Sequence, residues 1–96
     1  MNYHIVEKNN LTYVEFEKDG WVVRSEKDAL DLVAACGEFL TDRLLVYEEN
    51  LAEDFFHLST HLAGEVMLKL SNYRIRVAIV TSPERLDHGK IGRAHV

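Results

Sequence analysis

The chain has 96 residues, of which 47% are hydrophobic and 28% charged, and its 11 Lys and Arg against 16 Asp and Glu give a formal net charge of −5. A chain of this length encloses one hydrophobic core, so we expect a single domain over residues 1–90. The basic residues are scattered along the sequence and form no basic patch, so we expect no nucleic-acid partner. No apolar run approaches the ~20 residues of a membrane-spanning helix, so we expect a cytoplasmic protein without a membrane partner.

Two β-prone runs open the chain, one around Ile5 and Val6 and one from Leu11 to Phe16, with Lys8-Asn9-Asn10 between them. Asn tolerates the positive φ of a tight turn, so this pattern predicts an antiparallel hairpin. The following Asp-Gly pair predicts a turn, and residues 21–23 predict a short extended segment.

A helix is predicted to begin at Ser25, because Asp28 three residues later completes a capping-box-like start. Its apolar residues recur at three- and four-residue spacing and predict a stripe that packs on a sheet: Ala29, Leu30, Val33, Ala34, Gly37 and Leu40. The single cysteine, Cys36, can form no internal disulfide and is interpreted as a small buried hydrophobic side chain rather than a reactive thiol.

Residues 42–82 have the pattern of a strand, a helix and a second strand. The apolar runs at 44–47 and 75–80 are too short for helices and too apolar for a strand with one wet face, so they predict interior parallel strands covered on both sides. Between them the apolar residues follow a 3.6-residue repeat: Phe55, Leu58, Leu62, Val66, Leu70 and Tyr73.

The break in that segment falls at Ser59-Thr60, which predicts either a kink or a short first helix followed by a main helix from His61. Gly64 suggests a close approach to a neighbouring element. The fold class that follows is α/β, with an N-terminal antiparallel hairpin, then parallel β-α-β-α-β strands with helices packed on the sheet.

The C-terminal part is expected to be incomplete. Pro83 ends the last strand and leads into a loop, and residues 91–96 match one reading frame of a widely used sequencing adapter. We interpret residues 91–96 as an artefactual tail and expect that the native chain continues into a helix and strand absent from this sequence. A genuine frayed terminus is the alternative.

Carboxylates gather after the predicted strand at 44–47: Glu48, Glu49 and Asp54. They lie at the edge where open α/β sheets place their ligand sites, so they are a candidate binding surface for a protein or a small ligand, or for a cation. Turn and helix-start chemistry explains the same residue types without a ligand.

Ser59 and Thr60 are candidate switch residues, because a phosphate near a helix N-terminus would meet free N–H groups and the positive end of the dipole. Plain capping is the alternative. His57, His61 and Glu65 have the spacing of metal ligands on a helix, but there is no HExxH pattern and the break at Ser59-Thr60 disturbs that spacing, so we predict no metal site and no cofactor.

The basic residues Arg74 and Arg76 flank the start of the last predicted strand and are expected to shield an edge or a rim. The sequence has no recognisable motif in which a nucleophile is paired with a general base, so no catalytic residue is predicted.

Residues 51–65 and 69–80 closely resemble a bacterial and archaeal family catalogued as domain of unknown function 4180, notably in the Asp-Phe-Phe motif at Asp54 and the Leu-Ala-Gly-Glu motif at Leu62. The resemblance implies a chain that continues through another helix, a strand and a final helix. It implies no activity, because the family has no established biochemistry to carry over.

More distantly, the order of a strand, the run Phe56-His57-Leu58-Ser59-Thr60-His61-Leu62, a helix and a strand resembles the STAS domain of anti-sigma-factor antagonists, in which a phosphorylatable Ser or Thr opens the helix after a central strand. The resemblance implies that Ser59 or Thr60 is the switch, although Leu58 stands where those domains usually place Asp. We therefore expect a STAS-like regulatory module that binds a protein or a small ligand. The alternative is a small enzyme or cation-binding protein that uses Glu48, Glu49 and Asp54.

Overall fold

A computed structural model describes residues 1–86, and the expected artefactual tail at 91–96 lies outside them. The strands and helices follow one another as β1 (Tyr3–Lys8), β2 (Leu11–Phe16), α1 (Ala29–Glu38), β3 (Arg43–Tyr47), α2 (Leu62–Asn72), β4 (Arg76–Val80) and α3 (Pro83–Leu86). The strands form one four-stranded sheet in the order β1-β2-β3-β4.

The N-terminal hairpin is confirmed. β1 and β2 are antiparallel over their full length, from the pair Tyr3 and Phe16 to the pair Lys8 and Leu11. Asn9 and Asn10 have φ values of 54° and 65°, which is the backbone of the two-residue turn that matches the twist of the strands. The Asn-Asn pair therefore fixes the register of the hairpin.

The parallel part of the fold is also confirmed. β2 pairs with β3 in parallel after the crossover through α1, and β3 pairs with β4 in parallel after the crossover through α2. The β3–β4 register runs from Arg43 opposite Arg76 to Tyr47 opposite Val80. The carboxyl ends of β3 and β4 consequently meet at one edge of the sheet, and their amino ends meet at the other.

The core lies between one face of the sheet and the two helices α1 and α2. Alternate strand residues and one stripe of each helix are buried there, among them Val14, Phe16, Leu44, Val46, Val77, Ile79, Leu32, Cys36, Val66 and Leu70. Burying such apolar side chains contributes about 1.5–3 kcal/mol each and is the main source of stability.

Strands β3 and β4 are covered on one face, so the prediction that both faces are covered is wrong for the part of the chain described. Leu44, Val46, Val77 and Ile79 are buried, whereas Leu45 is half-buried and Ala78 is exposed. Continuous apolar runs usually mark two-sided burial, but here part of the apolar content lies on the open face.

The stripe predicted for α1 is displaced. The buried positions are Ala29, Leu32, Ala35 and Cys36, whereas Leu30 is 41% exposed and Leu40 is 94% exposed. Apolar residues occur on more than one face of this helix, so spacing by itself could not select the buried one. The burial of Cys36 is confirmed.

The start of α1 also differs from the prediction. A 3-10 turn, Glu26–Asp28, precedes the helix, and the hydroxyl of Ser25 makes no capping bond. The carboxylate half of the expected box is also absent, because Asp28 Oδ2 accepts its 2.8 Å hydrogen bond from the backbone N–H of Arg24, one residue before Ser25. This bond still holds the chain that enters the 3-10 turn.

The crossover from β3 to β4 has the predicted break. Two 3-10 turns, Glu53–Phe56 and Leu58–Thr60, precede α2, and His61 before the helix has a φ of 62°. Phe55 is buried with the α2 stripe, but Leu58 and Tyr73 at the two ends are 63% and 54% exposed.

Two smaller expectations are wrong. A Cβ added at Gly64 would meet no atom within 4 Å, so this glycine marks no close approach. The residues after β4 begin a helix at Pro83 rather than a loop, which suits proline because the first helical position needs no N–H donor.

Candidate functional site

The carboxyl end of β3 is closed by a 3-10 turn, Glu48–Asn50, whose last residue is fully buried. Asn50 Oδ1 accepts a 2.9 Å hydrogen bond from the backbone N–H of Tyr47, and Asn50 Nδ2 donates a 3.0 Å bond to the carbonyl of Glu17. Its own carbonyl accepts from the N–H of Val23 at 2.7 Å. Asn50 therefore ties the exits of β2 and β3 together at this edge.

Sequence reasoning did not single out Asn50. The available signal was an Asn in the turn after a buried strand, where its side chain can bond nearby backbone groups. A buried amide with every polar atom paired is a stronger structural determinant than the flanking exposed carboxylate of Glu49.

Glu48 lies at the junction of β3 and β4. Its Oε1 accepts a 3.0 Å hydrogen bond from the hydroxyl of Thr81 and a 2.6 Å bond from the backbone N–H of Ser82. These bonds to a carboxylate hold the segment that leads into α3 against the end of β3. The carboxylate of Glu48 thus has a structural role at the predicted edge of the sheet.

The other two predicted carboxylates, Glu49 and Asp54, are exposed and lie on separate turns. Within residues 1–86 no three His, Cys, Asp or Glu side chains approach one another closely enough to hold a metal ion. The predicted surface residues therefore share one end of the molecule without converging on one point.

Ser59 and Thr60 differ sharply in their surroundings. Thr60 Oγ1 lies 2.6 Å from the carbonyl oxygen of Asp54 and 2.8 Å from that of His57, and it accepts a 3.2 Å bond from the N–H of Leu62. Ser59 is exposed, and its hydroxyl makes no hydrogen bond with the described residues. Thr60 closes the turn before α2, whereas Ser59 presents an open hydroxyl at its surface.

The histidines predicted as weak metal candidates are not aligned on one helix. His57 precedes the break and its Nε2 lies 3.5 Å from Glu53 Oε2, while His61 adopts a left-handed backbone before α2. His61 and Glu65 instead line a shallow groove of about 310 Å³ with Leu58, Gly64 and Leu68. Leu58 and Leu68 are 63% and 62% exposed there.

Charge is distributed unevenly along the sheet. Residues 44–68 contain five carboxylates, Glu48, Glu49, Glu53, Asp54 and Glu65, and no Lys or Arg. This segment covers the carboxyl end of β3 and the entry to α2. The segment that carries the predicted site is therefore acidic and will attract cationic groups, and Lys18 from outside this segment lies over its Tyr47 ring.

The open face of the sheet carries a paired tyrosine. Tyr47 Oη donates a 2.5 Å hydrogen bond to Glu15 Oε2, and this bond to a carboxylate is the main reason that the pKa of Tyr47 is raised. Lys18 Nζ lies 4.8 Å from the centre of the same ring, a cation–π distance.

The thiol of Cys36 is held in the core by α1, with its Sγ 3.8 Å from the carbonyl oxygen of Arg43. Burial raises its pKa to about 11, and the charge of Asp42 acts in the same direction. A thiol with a raised pKa is a poor nucleophile, which agrees with its interpretation as an inert core residue.

Among the described residues, no helix has the length and apolar character needed to cross a membrane. Searches of curated proteins and of solved structures gave no significant match. The sequence profile of one protein family matches residues 8–90, which include all of the parallel strands and both packed helices. The chain therefore belongs to the family described as Domain of unknown function (DUF4180).

Proposed function

We propose that this protein is a regulatory binding module that recognises a protein partner through the acidic end of the sheet. The single observation that carries the proposal is the stretch of residues 44–68, in which five carboxylates stand without a Lys or Arg. Glu49 and Asp54 are exposed in this segment, and Glu65 lines the groove between Leu58 and Leu68. A partner with a basic rim and an apolar side chain for the groove fits this chemistry.

Ser59 is the proposed switch residue of this surface. Its hydroxyl is exposed and without a hydrogen bond among the described residues, so a kinase could reach it without unfolding the turn. A phosphate there adds about −1.5 to −2 charges to a surface that is already acidic. Phosphorylation would strengthen the attraction for a basic partner and repel an acidic one.

Thr60 is the weaker of the two candidates. Its hydroxyl lies against the carbonyl oxygens of Asp54 and His57, and phosphorylation would turn Oγ1 into an ester oxygen with no hydrogen to donate to either. A STAS-like architecture, which is part of this proposal, would place a phosphorylatable hydroxyl between β3 and α2 and does not by itself distinguish the two positions.

Phosphate mapping tests the switch. The protein would be incubated with ATP and a kinase-containing lysate of its source organism, and phosphate would be located by mass spectrometry. We expect phosphate on Ser59, its loss in Ser59→Ala and its retention in Thr60→Val. Phosphate on neither hydroxyl would reject the switch, and phosphate on Thr60 alone would reject the assignment to Ser59.

A small enzyme or a cation-binding protein is the alternative that uses Glu48, Glu49 and Asp54. The two hydrogen bonds that Glu48 already accepts count against it. A melting-temperature screen against divalent cations and common metabolites distinguishes the two functions, because a ligand of the native state raises stability by RT ln(1 + [L]/Kd). We expect no shift with any of them in a cytoplasmic binding module, and a saturable shift abolished by Asp54→Asn would favour the alternative.

A further inference from the structure

Two arginines lie side by side at the amino ends of β3 and β4, at the opposite end of the sheet from Glu48 and Glu49. Arg43 is the first residue of β3, Arg76 is the first residue of β4, and the two are directly paired in the parallel register. Adjacent strands are about 4.8 Å apart, so both side chains leave the same face of the sheet at close range. That face is the open one, because the next residue in each strand, Leu44 or Val77, is buried in the core and successive strand residues point to opposite faces.

Neither arginine has a counter-ion among the side chains that the structure describes. In residues 1–84, no carboxylate forms an ion pair with the guanidinium of Arg43 or Arg76, and neither side chain makes a hydrogen bond. The adjacent Asp42 gives its backbone carbonyl to the N–H of Arg76 but does not neutralise the charge. Like charges directly opposite in a sheet are unfavourable, and an anion bound between the two guanidinium groups would offset that cost.

Between the arginines and β2 the open face forms a depression of about 320 Å³. Tyr13, Leu45 and Ala78 form its apolar part, and the two arginines stand at its amino end. The volume is at the lower end of the range for small-molecule sites, and the arrangement combines an apolar surface with a few convergent polar groups.

We propose that this depression binds a small amphiphilic carboxylate, with the carboxylate between Arg43 and Arg76 and its apolar chain on Tyr13, Leu45 and Ala78. Guanidinium groups form two-point hydrogen bonds with planar carboxylates, which a single lysine cannot match. Residues 87–96 are an unsuitable occupant on charge, because they contain Asp87 against Lys90 and Arg93. The inference is independent of the proposed function at the acidic end.

The test uses octanoate as the probe. Octylammonium, with the same alkyl chain and the opposite charge, is the control for charge, and acetate, with the same charge and no long chain, is the control for the apolar contact. Binding is followed in the full chain by the ¹⁵N–¹H NMR shifts of the amides of Leu45 and Ala78. We expect saturable shifts with octanoate, none with octylammonium, and at least tenfold weaker binding of acetate. The double substitution Arg43→Gln and Arg76→Gln should weaken octanoate binding at least tenfold, whereas Arg24→Gln, which changes an exposed arginine elsewhere, should leave it unchanged.

Three results would overturn the assignment. Equal binding of octanoate and octylammonium would show that the depression is only an apolar surface. Tighter binding of octyl phosphate than of octanoate would assign the arginines to a phosphate group. Concentration-dependent dimerisation in light scattering that the double substitution abolishes would assign the face to a second copy of the chain. The double variant keeps two of the three methylenes of each arginine, so most of the apolar packing is preserved. Retained chemical-shift dispersion identifies the variant as folded, and binding is compared on that basis.

Discussion

The buried amide of Asn50 provides the most direct mutational test of how the sheet end that carries the proposed binding surface is held together. Asn50→Ala removes the acceptor of the Tyr47 N–H and the donor to the Glu17 carbonyl. Each buried group left without a partner costs about 1–3 kcal/mol, so we expect a loss of about 3 kcal/mol in the free energy of unfolding. A domain of this size is stable by about 5–15 kcal/mol, so the loss is a large fraction of the total.

Urea denaturation followed by circular dichroism measures this loss, with Asn72→Ala at an exposed position of α2 as the control. The control should change stability by less than about 0.7 kcal/mol, the span of ordinary helix propensities. Asn50→Asp adds a second test, since only a protonated carboxyl can donate to the Glu17 carbonyl. It should therefore be less destabilising at pH 4 than at pH 7, relative to the natural chain. A cost for Asn50→Ala no larger than that of the control would refute the role of Asn50.

Three further predictions follow from single residues. Leu40 follows α1 with a φ of 55°, a backbone conformation that favours glycine, and its side chain is 94% exposed. Leu40→Gly should therefore raise the free energy of unfolding by about 0.5–1 kcal/mol, and Leu40→Ala should not. A loss of stability in the glycine variant would contradict the backbone argument. Glu48→Ala removes the acceptor of the Thr81 hydroxyl and the Ser82 N–H, so it should lower the free energy of unfolding in urea by about 1–2 kcal/mol. Glu49→Ala is the matched control and should have a small effect. Equal effects of the two substitutions would contradict the structural role of Glu48. The folded pKa of Cys36, about 11, lies above that of an exposed thiol, so the unfolded state ionises first and stability should fall as pH rises from about 9 to about 11. The slope in thermal melts should become smaller in Cys36→Ala, with the raised pKa of Tyr47 contributing to the remainder, and a slope unchanged by the substitution would contradict the assignment.

The architecture was predictable where local chemistry and global pattern agree. The Asn-Asn turn admits positive φ at both central positions, and the hairpin forms there as expected. The order of a strand, a broken helix and a second strand leaves a parallel crossover as the natural packing. These elements depend on short-range sequence features, which a sequence displays directly.

Burial was less predictable, because it depends on which neighbours each face meets. The apolar residues of α1 permit more than one stripe, and the choice between them is made by the sheet. Likewise, Leu45 belongs to an apolar run yet lies on the open face. No spacing rule in β3 distinguishes such a residue from one covered by a helix.

The candidate site was predictable in position but not in the role of each side chain. Glu48 occurs at the expected strand end, but its hydrogen bonds reach residues that are distant in sequence. Thr60 and Ser59 are adjacent and chemically alike, and only the backbone of the turn separates a bonded hydroxyl from an open one. The pairing of Arg43 with Arg76 depends in the same way on the register of two strands.

Both proposed sites depend on β3 and β4 lying side by side in the same direction, and interstrand NOEs between the two strands test that arrangement most directly. We expect the parallel pattern, with contacts that link Leu45 to Ala78 and Tyr47 to Val80. An antiparallel pattern, with Arg43 close to Val80, would contradict the arrangement and remove both the acidic surface and the arginine pair as sites.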